Sequence, residues 1–252
     1  MKELTEVQQK YTQLLFDALQ LFYKNDAKLL FNEPQENADY TAEKKEGKRI
    51  VNERAMVGCV YRYMWCLMQQ TGNCVPVSDI DIEHDRMVKD DLEYYEKEIS
   101  CECAQLQAVG RCERYGECIK VIVDKIHADN NGDDSMSVAI RKAVRPDIIV
   151  HNRNEVGVKN NGLVVEFKKD HKGICNSDIV FDIAKLYYFT CPQSKWLQYK
   201  LGAMVLLRPT CANVCIICDK TILSEYKVCA HDVREITDDE KKELSLDDTS
   251  VG

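Results

Sequence analysis

The chain has no long hydrophobic run. Its longest aliphatic stretches, such as residues 203–207 (AMVLL), are far shorter than the roughly 20 residues that a membrane-spanning helix needs. It also has no excess of positive charge, because 34 Lys and Arg residues are outnumbered by 42 Asp and Glu residues. The net charge of -8 excludes bulk cationic attraction as the driving force for binding nucleic acid. The first residues lack the apolar core of a signal peptide, so we expect a cytoplasmic protein with no membrane partner.

Proline and glycine are scarce, with 5 and 11 residues, whereas 45% of the chain is hydrophobic and 30% is charged. This composition is typical of a globular protein rather than a disordered or fibrous one. Cysteine is abundant by contrast. The 13 cysteines are an odd number, which suits reduced thiols better than the disulfide framework of a secreted protein.

Hydrophobic periodicity divides the chain into three parts. Residues 1–49 predict an N-terminal helix and a polar loop that pack on the core. Residues 50–230 predict the main domain, and residues 231–252 predict an acidic, flexible tail because they contain few hydrophobic side chains.

Three further elements precede the most informative part of the main domain. Residues 50–70 predict a helix that is apolar around most of its circumference and therefore central. Residues 77–86 alternate isoleucine with acidic residues, as a half-buried strand does, and residues from about 86 to 108 predict a charged helix.

Residues 145–151 (RPDIIVH) and 163–169 (LVVEFKK) predict two strands of a long-looped β-hairpin. If the connector is centred between residues 156 and 157, Asp147 lies opposite Glu166. Because side chains alternate along a strand, Lys168 then shares the face of Glu166. One sheet face would hold two carboxylates and an ammonium.

Two neighbouring carboxylates repel each other, and a hard divalent cation is the natural compensation. Mg²⁺ accepts one or two carboxylates, keeps several waters and completes its shell with phosphate oxygens. Lys168 could orient the attacking water and neutralise charge on the phosphate, so the set fits phosphodiester hydrolysis. The alternative is a turn residue at Asp147 and an ordinary surface charge ladder at Glu166 and Lys168.

Pro146-Asp147 followed by Glu166-Phe167-Lys168 resembles the signature of the PD-(D/E)XK nuclease superfamily, whose fold is restriction-endonuclease-like. The wider pattern is similar to an uncharacterised bacterial and phage branch, through 53-ERAMVGCVYRYM-64, 81-DIEHDR-86, 182-DIAKLYYFT-190 and 199-YKLGAMVLL-207. The resemblance implies an α/β core, with a mixed β-sheet flanked by helices and an N-terminal helical region. It also implies a nuclease that depends on Mg²⁺ or Mn²⁺, with DNA favoured over RNA as the substrate.

Carried onto this chain, the resemblance implies that Asp147, Glu166 and the backbone carbonyl of Phe167 bind the metal. Lys168 would position the nucleophilic water, and Glu53 would reach the metal directly or through water. Independently, Glu53 continues an apolar helical stripe, so its carboxylate needs a partner. The alternative is a solvent-exposed carboxylate in the first turn of its helix, favoured by the macrodipole.

Nucleic-acid contacts are expected near these motifs. The segment from Arg141 to Lys172 carries a charge of +4, whereas the remainder carries -12. The candidate contact residues are Arg145, Lys169, Lys172 and Lys185. Lys185 has an equal alternative as a solvated lysine paired with Asp182 one turn back, and the basic connector residues could simply serve solubility.

Other readings stay open. Cys101, Cys103, Cys112 and Cys118, or Cys211, Cys215 and Cys218, could bind zinc or an iron–sulfur cluster, but we favour small core hydrophobes. His151 could touch substrate or be a satisfied rim histidine. The competing function is a catalytically inactive nucleic-acid-binding or assembly subunit with the same fold. A homodimer is a further option that the sequence leaves open.

Overall fold

The computed structural model describes residues 4–31, 53–70, 79–82, 86–88, 94–96, 98–99, 142–143, 146–151, 161–169, 176–190, 192, 198–219 and 221–237. Its helices are α1 (Glu6–Asn25), α2 (Ala27–Leu30), α3 (Glu53–Met68) and α4 (Asn176–Phe189). The strands are β1 (Asp79–Ile82), β2 (Arg86–Val88), β3 (Tyr94–Glu96), β4 (Glu98–Ile99), β5 (Lys142–Ala143), β6 (Ile148–His151), β7 (Asn161–Lys169), β8 (Leu201–Leu207), β9 (Cys211–Cys218), β10 (Thr221–Cys229) and β11 (Val233–Glu235).

A seven-stranded mixed sheet organises the molecule, with strand order β1-β6-β7-β8-β9-β10-β11. β7 and β8 are parallel, and the other neighbouring strands in this sheet are antiparallel. Parallel neighbours need a crossover connection, and α4 lies in the connection between β7 and β8. The prediction of an α/β protein with a mixed sheet flanked by helices is confirmed at this level.

The two faces of the sheet are covered by different helices. α1 and α3 pack together over one face, where side chains such as Ile148, Val165, Phe167 and Val205 join a single buried cluster. α4 packs on β7, β8 and β9, and its Leu186 would contact a side chain placed at Gly202 on the opposite face. Residues that alternate with the first set along β7, including Glu166 and Lys168, therefore point toward α4.

The N-terminal helix forms as the sequence predicts. Thr5 caps it, because its side chain accepts a hydrogen bond from the backbone of Gln8 while the Gln8 side chain accepts one from the backbone of Thr5. Apolar residues at helical spacing along α1 are buried from Tyr11 to Phe22, and α1 contacts β9 and β10 as well as α3. The helix therefore belongs to the main core.

The second helix differs from its prediction. α3 buries one face, formed by Met56, Val57, Val60 and Met64, whereas Trp65 is 41% exposed. It is thus an amphipathic outer helix rather than a central one. Apolar residues outside the buried face, such as Trp65, stay exposed. The apolar character of the whole circumference therefore led to a prediction of more burial than the helix has.

The predicted charged helix is wrong for the residues that the structure describes between 86 and 99. They form β2, β3 and β4, which pair as β2–β3 and β4–β5 in two small sheets. The segment contains Met-Val, Tyr-Tyr and Glu-Ile pairs, and the β-branched and aromatic residues among them favour strands over the helix that its charge suggested. The remainder of that prediction, residues 89–93, 97 and 100–108, lies outside the described residues.

The last strand also revises a predicted boundary. Val233–Glu235, which the sequence assigned to the tail, forms β11 and pairs antiparallel with β10. The sheet therefore continues beyond residue 230. In the part of the chain that the structure describes, no helix combines the length and apolar character required to cross a membrane.

Candidate active site

The β6–β7 hairpin has the register that the sequence predicts. Ile148 pairs with Val165 and Ile149 with Val164, so the next step of the same antiparallel register brings Asp147 to Glu166. The backbone amide of Phe167 donates a hydrogen bond of 2.7 Å to Oδ2 of Asp147. This bond fixes the aspartate against β7.

A bulge ends this register at the far end of the hairpin. Val150 pairs with Leu163 but His151 pairs with Asn161, which leaves Gly162 as the extra residue of β7. A Cβ atom at Gly162 would overlap the ring and hydroxyl of Tyr11 from α1. Glycine is therefore required for α1 to approach the bulge.

Glu53 reaches the other end of β7 from the first turn of α3. Its Oε2 accepts a hydrogen bond of 2.8 Å from the backbone amide of Lys169, and its Oε1 lies 3.7 Å from Nζ of Lys168. The side chain is 34% exposed, so it is neither buried nor free in solvent. Glu53 thus has partners on β7, as the inward-facing interpretation expected, but it also lies in the first turn of its helix and is partly exposed, as the alternative expected.

α4 contributes two charged side chains to the same place. Nζ of Lys185 lies 2.9 Å from Oε1 of Glu166 and 2.6 Å from Oδ1 of Asp182. Nζ of Lys168 lies 2.9 Å from Oδ2 of Asp182. Asp182 thus bridges the two lysines, each of which also faces a second carboxylate.

Lys185 is paired with Asp182, but it is not solvated as the alternative interpretation held, because only 8% of the residue is exposed. Asp182, 3% exposed, was not among the predicted site residues. The available signal was an aspartate and a lysine three residues apart in the otherwise apolar run 179-IVFDIAKLYYF-189. Charges at that spacing on a buried helix need partners on the sheet.

The charges of this cluster do not balance. Glu53, Asp147, Glu166 and Asp182 supply four negative charges when ionised, whereas Lys168 and Lys185 supply two positive ones. Burial raises the pKa of Asp147 to about 6, although the amide of Phe167 and both lysines oppose the shift. Burial also raises the pKa of Glu166 well above its usual range, against the attraction of Lys185.

The pKa values of the two lysines are also raised, but by neighbouring carboxylates and against the effect of burial. Burial alone would lower the pKa of Lys168, but Asp182 and Glu53 raise it above its usual value. Burial likewise opposes protonation of Lys185, yet Glu166 and Asp182 raise its pKa. Oδ2 of Asp182 and Oε1 of Glu166 each lie 2.9 Å from one of these amines. A carboxylate oxygen has two lone pairs, so each oxygen could accept a second partner.

A hard divalent cation fits this site in donor type and charge. Carboxylate oxygens are the ligands that Mg²⁺ and Mn²⁺ prefer, and one such ion would balance the excess of two negative charges. Among the described residues, however, no group of three His, Cys, Asp or Glu side chains is arranged to hold a metal. The amines of Lys168 and Lys185 stand against Asp182 and Glu166, so the carboxylates face lysines rather than a common point.

The predicted nucleic-acid contacts separate into three groups. Lys185 lies in the cluster, as described above. Lys169 is on the other face of β7, where its ammonium is 5.4 Å from the centre of the Phe31 ring and burial lowers its pKa. Arg145 and Lys172 lie outside the described residues.

His151 has a protein partner. Its Nε2 lies 2.6 Å from Oδ2 of Asp81 on the adjacent strand β1, and each side chain is 13% exposed. This contact is the one expected of a satisfied rim histidine, and we assign His151 no role in the chemistry.

The cysteines of β9 are buried in the sheet. Cys211, Cys215 and Cys218 are 5%, 7% and 5% exposed and carry free thiols, in keeping with small core side chains. Cys101, Cys103, Cys112 and Cys118 lie outside the described residues, so a metal bound by those four stays an untested alternative.

The chain matches no family model, and neither the curated proteins nor the solved structures contain a match to it. The geometry of the cluster at β7 is therefore the basis for a functional assignment.

Proposed function

We propose that the protein is a metal-dependent nuclease of the PD-(D/E)XK type, with a restriction-endonuclease-like core, that hydrolyses phosphodiester bonds. One observation carries the proposal. Glu53, Asp147 and the Glu166–Lys168 pair, from three separate segments of the chain, lie together at one end of β7, and among the described side chains of this cluster the carboxylates outnumber the amines. In an ordinary surface charge ladder Glu166 would be exposed to solvent, whereas only 2% of this residue is exposed.

In this proposal Asp147 and Glu166 hold Mg²⁺ or Mn²⁺, together with the backbone carbonyl of Phe167, and Glu53 contributes directly or through water. Such an ion supplies a Lewis acid and lowers the pKa of bound water toward neutrality. The hydrogen bond from the Phe167 amide occupies Oδ2 of Asp147 and fixes the carboxylate against β7. Burial raises the pKa of Asp147 to about 6, and a cation bound there would favour its charged form.

Lys168 is the residue that would position the attacking water and neutralise charge developing on the phosphate. Its amine is protonated, because neighbouring carboxylates raise its pKa, so it acts as a cation and hydrogen-bond donor rather than as a base. Asp182 fixes the amine at 2.9 Å. Lys185 compensates the buried charge of Glu166 from the other side.

The polyanion would approach through the basic segment between Arg141 and Lys172, with Arg145 and Lys172 as proposed phosphate contacts. DNA is favoured over RNA by the resemblance alone. Lys169 is a weaker candidate contact because its ammonium lies near the Phe31 ring, on the sheet face that α1 and α3 cover.

The deciding experiment compares cleavage of single-stranded DNA, duplex DNA and RNA by the wild type, Asp147→Ala and Lys168→Met. Each reaction contains Mg²⁺, Mn²⁺ or EDTA. We expect metal-dependent cleavage by the wild type and a loss of at least about 100-fold in both variants, the usual scale for removing a group that stabilises the transition state. Lys10→Met, which removes an exposed lysine of α1, is the matched control and should cut normally.

Two results would reject the catalytic proposal: no cleavage by the wild type under any condition, or equal cleavage by wild type and variants. Binding of nucleic acid without cleavage would instead support the inactive-subunit alternative. Filter-binding or anisotropy measurements in EDTA distinguish that case.

A further inference from the structure

Two cysteines lie directly opposite each other on neighbouring strands. Cys211 begins β9 and Cys229 ends β10, and the antiparallel register pairs them. Cys211 is 5% exposed, Cys229 is half-buried, and both are free thiols. Along the same strand pair, Cys215 is opposite Glu225 and Cys218 is opposite Thr221. The pairing of two thiols therefore distinguishes Cys211 and Cys229 from their neighbours on β9.

The backbone shows which kind of antiparallel pair they form. The carbonyl of Cys211 accepts a hydrogen bond from Arg208, and the amide of Cys229 donates one to Asp232. Neither group is directed at the opposite cysteine, so the two residues form a non-hydrogen-bonded pair. The Cα atoms of such a pair are about 4.5 Å apart, and disulfides span Cα separations of about 4.4–6.8 Å. The Cys211 thiol also lies near enough to contribute to the raised pKa of the Cys229 thiol.

We infer that Cys211 and Cys229 form a dithiol site that small-molecule disulfides oxidise to a cross-strand disulfide. The more exposed Cys229 thiolate attacks one sulfur of the small disulfide and releases one small thiolate. The Cys211 thiolate then attacks the sulfur of Cys229 and releases the second. The protein loses two hydrogens and two electrons, and the small disulfide is reduced to two thiols.

The link would join the open ends of the β9–β10 hairpin, whose other end is the turn between Cys218 and Thr221. Cross-linking residues that already face each other restricts the unfolded chain while leaving the strand pairing in place. Burial and the adjacent Cys211 raise the pKa of Cys229, so the first exchange is slow at neutral pH and faster in mildly alkaline buffer.

The experiment incubates the folded protein at pH 8 in mixtures of reduced and oxidised glutathione, blocks free thiols with an alkylating reagent and digests it without reduction. Trypsin cleavage after Lys220 and Lys227 separates the two cysteines into different peptides, which fragmentation can assign. We expect the Cys211–Cys229 link, and a rise of about 5–10 °C in the thermal midpoint of the oxidised protein.

Cys229→Ser should abolish both the link and the rise in the thermal midpoint, and Cys66→Ser, which changes an exposed thiol of α3, should abolish neither. The inference is overturned if both cysteines are recovered alkylated or as glutathione adducts, if they link to other cysteines, or if their link forms only in urea. Because the readouts are mass and thermal stability, the outcome is independent of nuclease activity.

Discussion

The backbone amide of Phe167 donates a hydrogen bond to Oδ2 of Asp147 across the β6–β7 pair, at 2.7 Å. The bond stabilises the charged carboxylate, and yet burial still raises the pKa of Asp147 to about 6. The folded protein therefore holds this carboxylate at an energetic cost near neutral pH. Such a cost is expected where a ligand or ion, rather than the protein, supplies the compensating charge.

Asp147→Asn should stabilise the metal-free protein at pH 8. The folded-state pKa is raised above the ordinary 3.8, so the stability provided by protonated Asp147 is present below about pH 3.8 and is lost as the pH rises through about 6. Asparagine mimics the protonated form at every pH. We expect a gain of about 1–3 kcal/mol in the free energy of unfolding at pH 8 and almost none at pH 4.

Urea unfolding in EDTA at the two pH values measures this difference, with Asp17→Asn on α1 as the matched change. A variant less stable than the wild type at pH 8 would contradict the assignment of Asp147 as a strained carboxylate.

Mn²⁺ should raise the thermal midpoint of the wild type and not that of Asp147→Ala. An ion at about 100 times its dissociation constant contributes about 2.7 kcal/mol, which corresponds to about 5–10 °C for a chain of this size. Lys168→Met should retain the shift, because Lys168 is proposed to act on water and phosphate rather than to hold the ion. A shift of equal size in Asp147→Ala would place the ion elsewhere in the protein.

Lys185→Met should be strongly destabilising. It leaves Glu166 buried without its 2.9 Å partner, and breaking a buried ion pair from one side costs about 3–5 kcal/mol. The cost should be smaller at pH 5 than at pH 8, because burial already raises the pKa of Glu166 and protonation removes the uncompensated charge. Chemical unfolding at both pH values tests the expected trend.

Lys10→Met provides the comparison for Lys185→Met. Its partner Glu6 is 80% exposed, so loss of that pair should change the free energy of unfolding by less than about 1 kcal/mol. Similar losses in the two variants would show that the cluster at β7 behaves as an ordinary surface network.

Gly162→Ala and Gly58→Ala should change stability in opposite directions. A Cβ atom at Gly162 overlaps buried Tyr11, and overpacking of this kind costs about 1–3 kcal/mol. A Cβ atom at Gly58, inside α3, meets no atom within 4 Å, so alanine should add about 0.5–1 kcal/mol through helix propensity. Urea midpoints of the two variants check both signs, and a neutral Gly162→Ala would mean that α1 does not approach the bulge.

The β6–β7 register could be predicted from the sequence, because centring the connector between residues 156 and 157 places Asp147 opposite Glu166, in agreement with the observed pairing. The sequence was also sufficient to predict α1, because apolar residues at helical spacing are a local signal, whereas the cap at Thr5 was not predicted. Glu53 could be proposed because it extends the apolar stripe of α3.

The rest depended on tertiary structure. The sequence left two interpretations of Lys185 open, a solvated lysine paired with Asp182 or a site residue, because its burial depends on where α4 crosses the sheet. Asp182 was not predicted as a site residue for the same reason. The strands between residues 86 and 99 were mistaken for a helix because charge content outweighed short β-favouring pairs. For Asp182 and Lys185 the deciding contacts join α4 to β7, in a different layer, whereas β2 and β3 pair locally.

The packing of α1 against β9 and β10 has a consequence during synthesis. The side chain of Gln8 donates hydrogen bonds to the carbonyl of Lys200 and to Sγ of Cys218, and Tyr23 donates one to the carbonyl of Arg208. The apolar face of α1 therefore emerges from the ribosome long before the strands that cover it have been translated. Until those strands are made, the part of this face that α3 does not cover stays exposed and is open to non-native contacts.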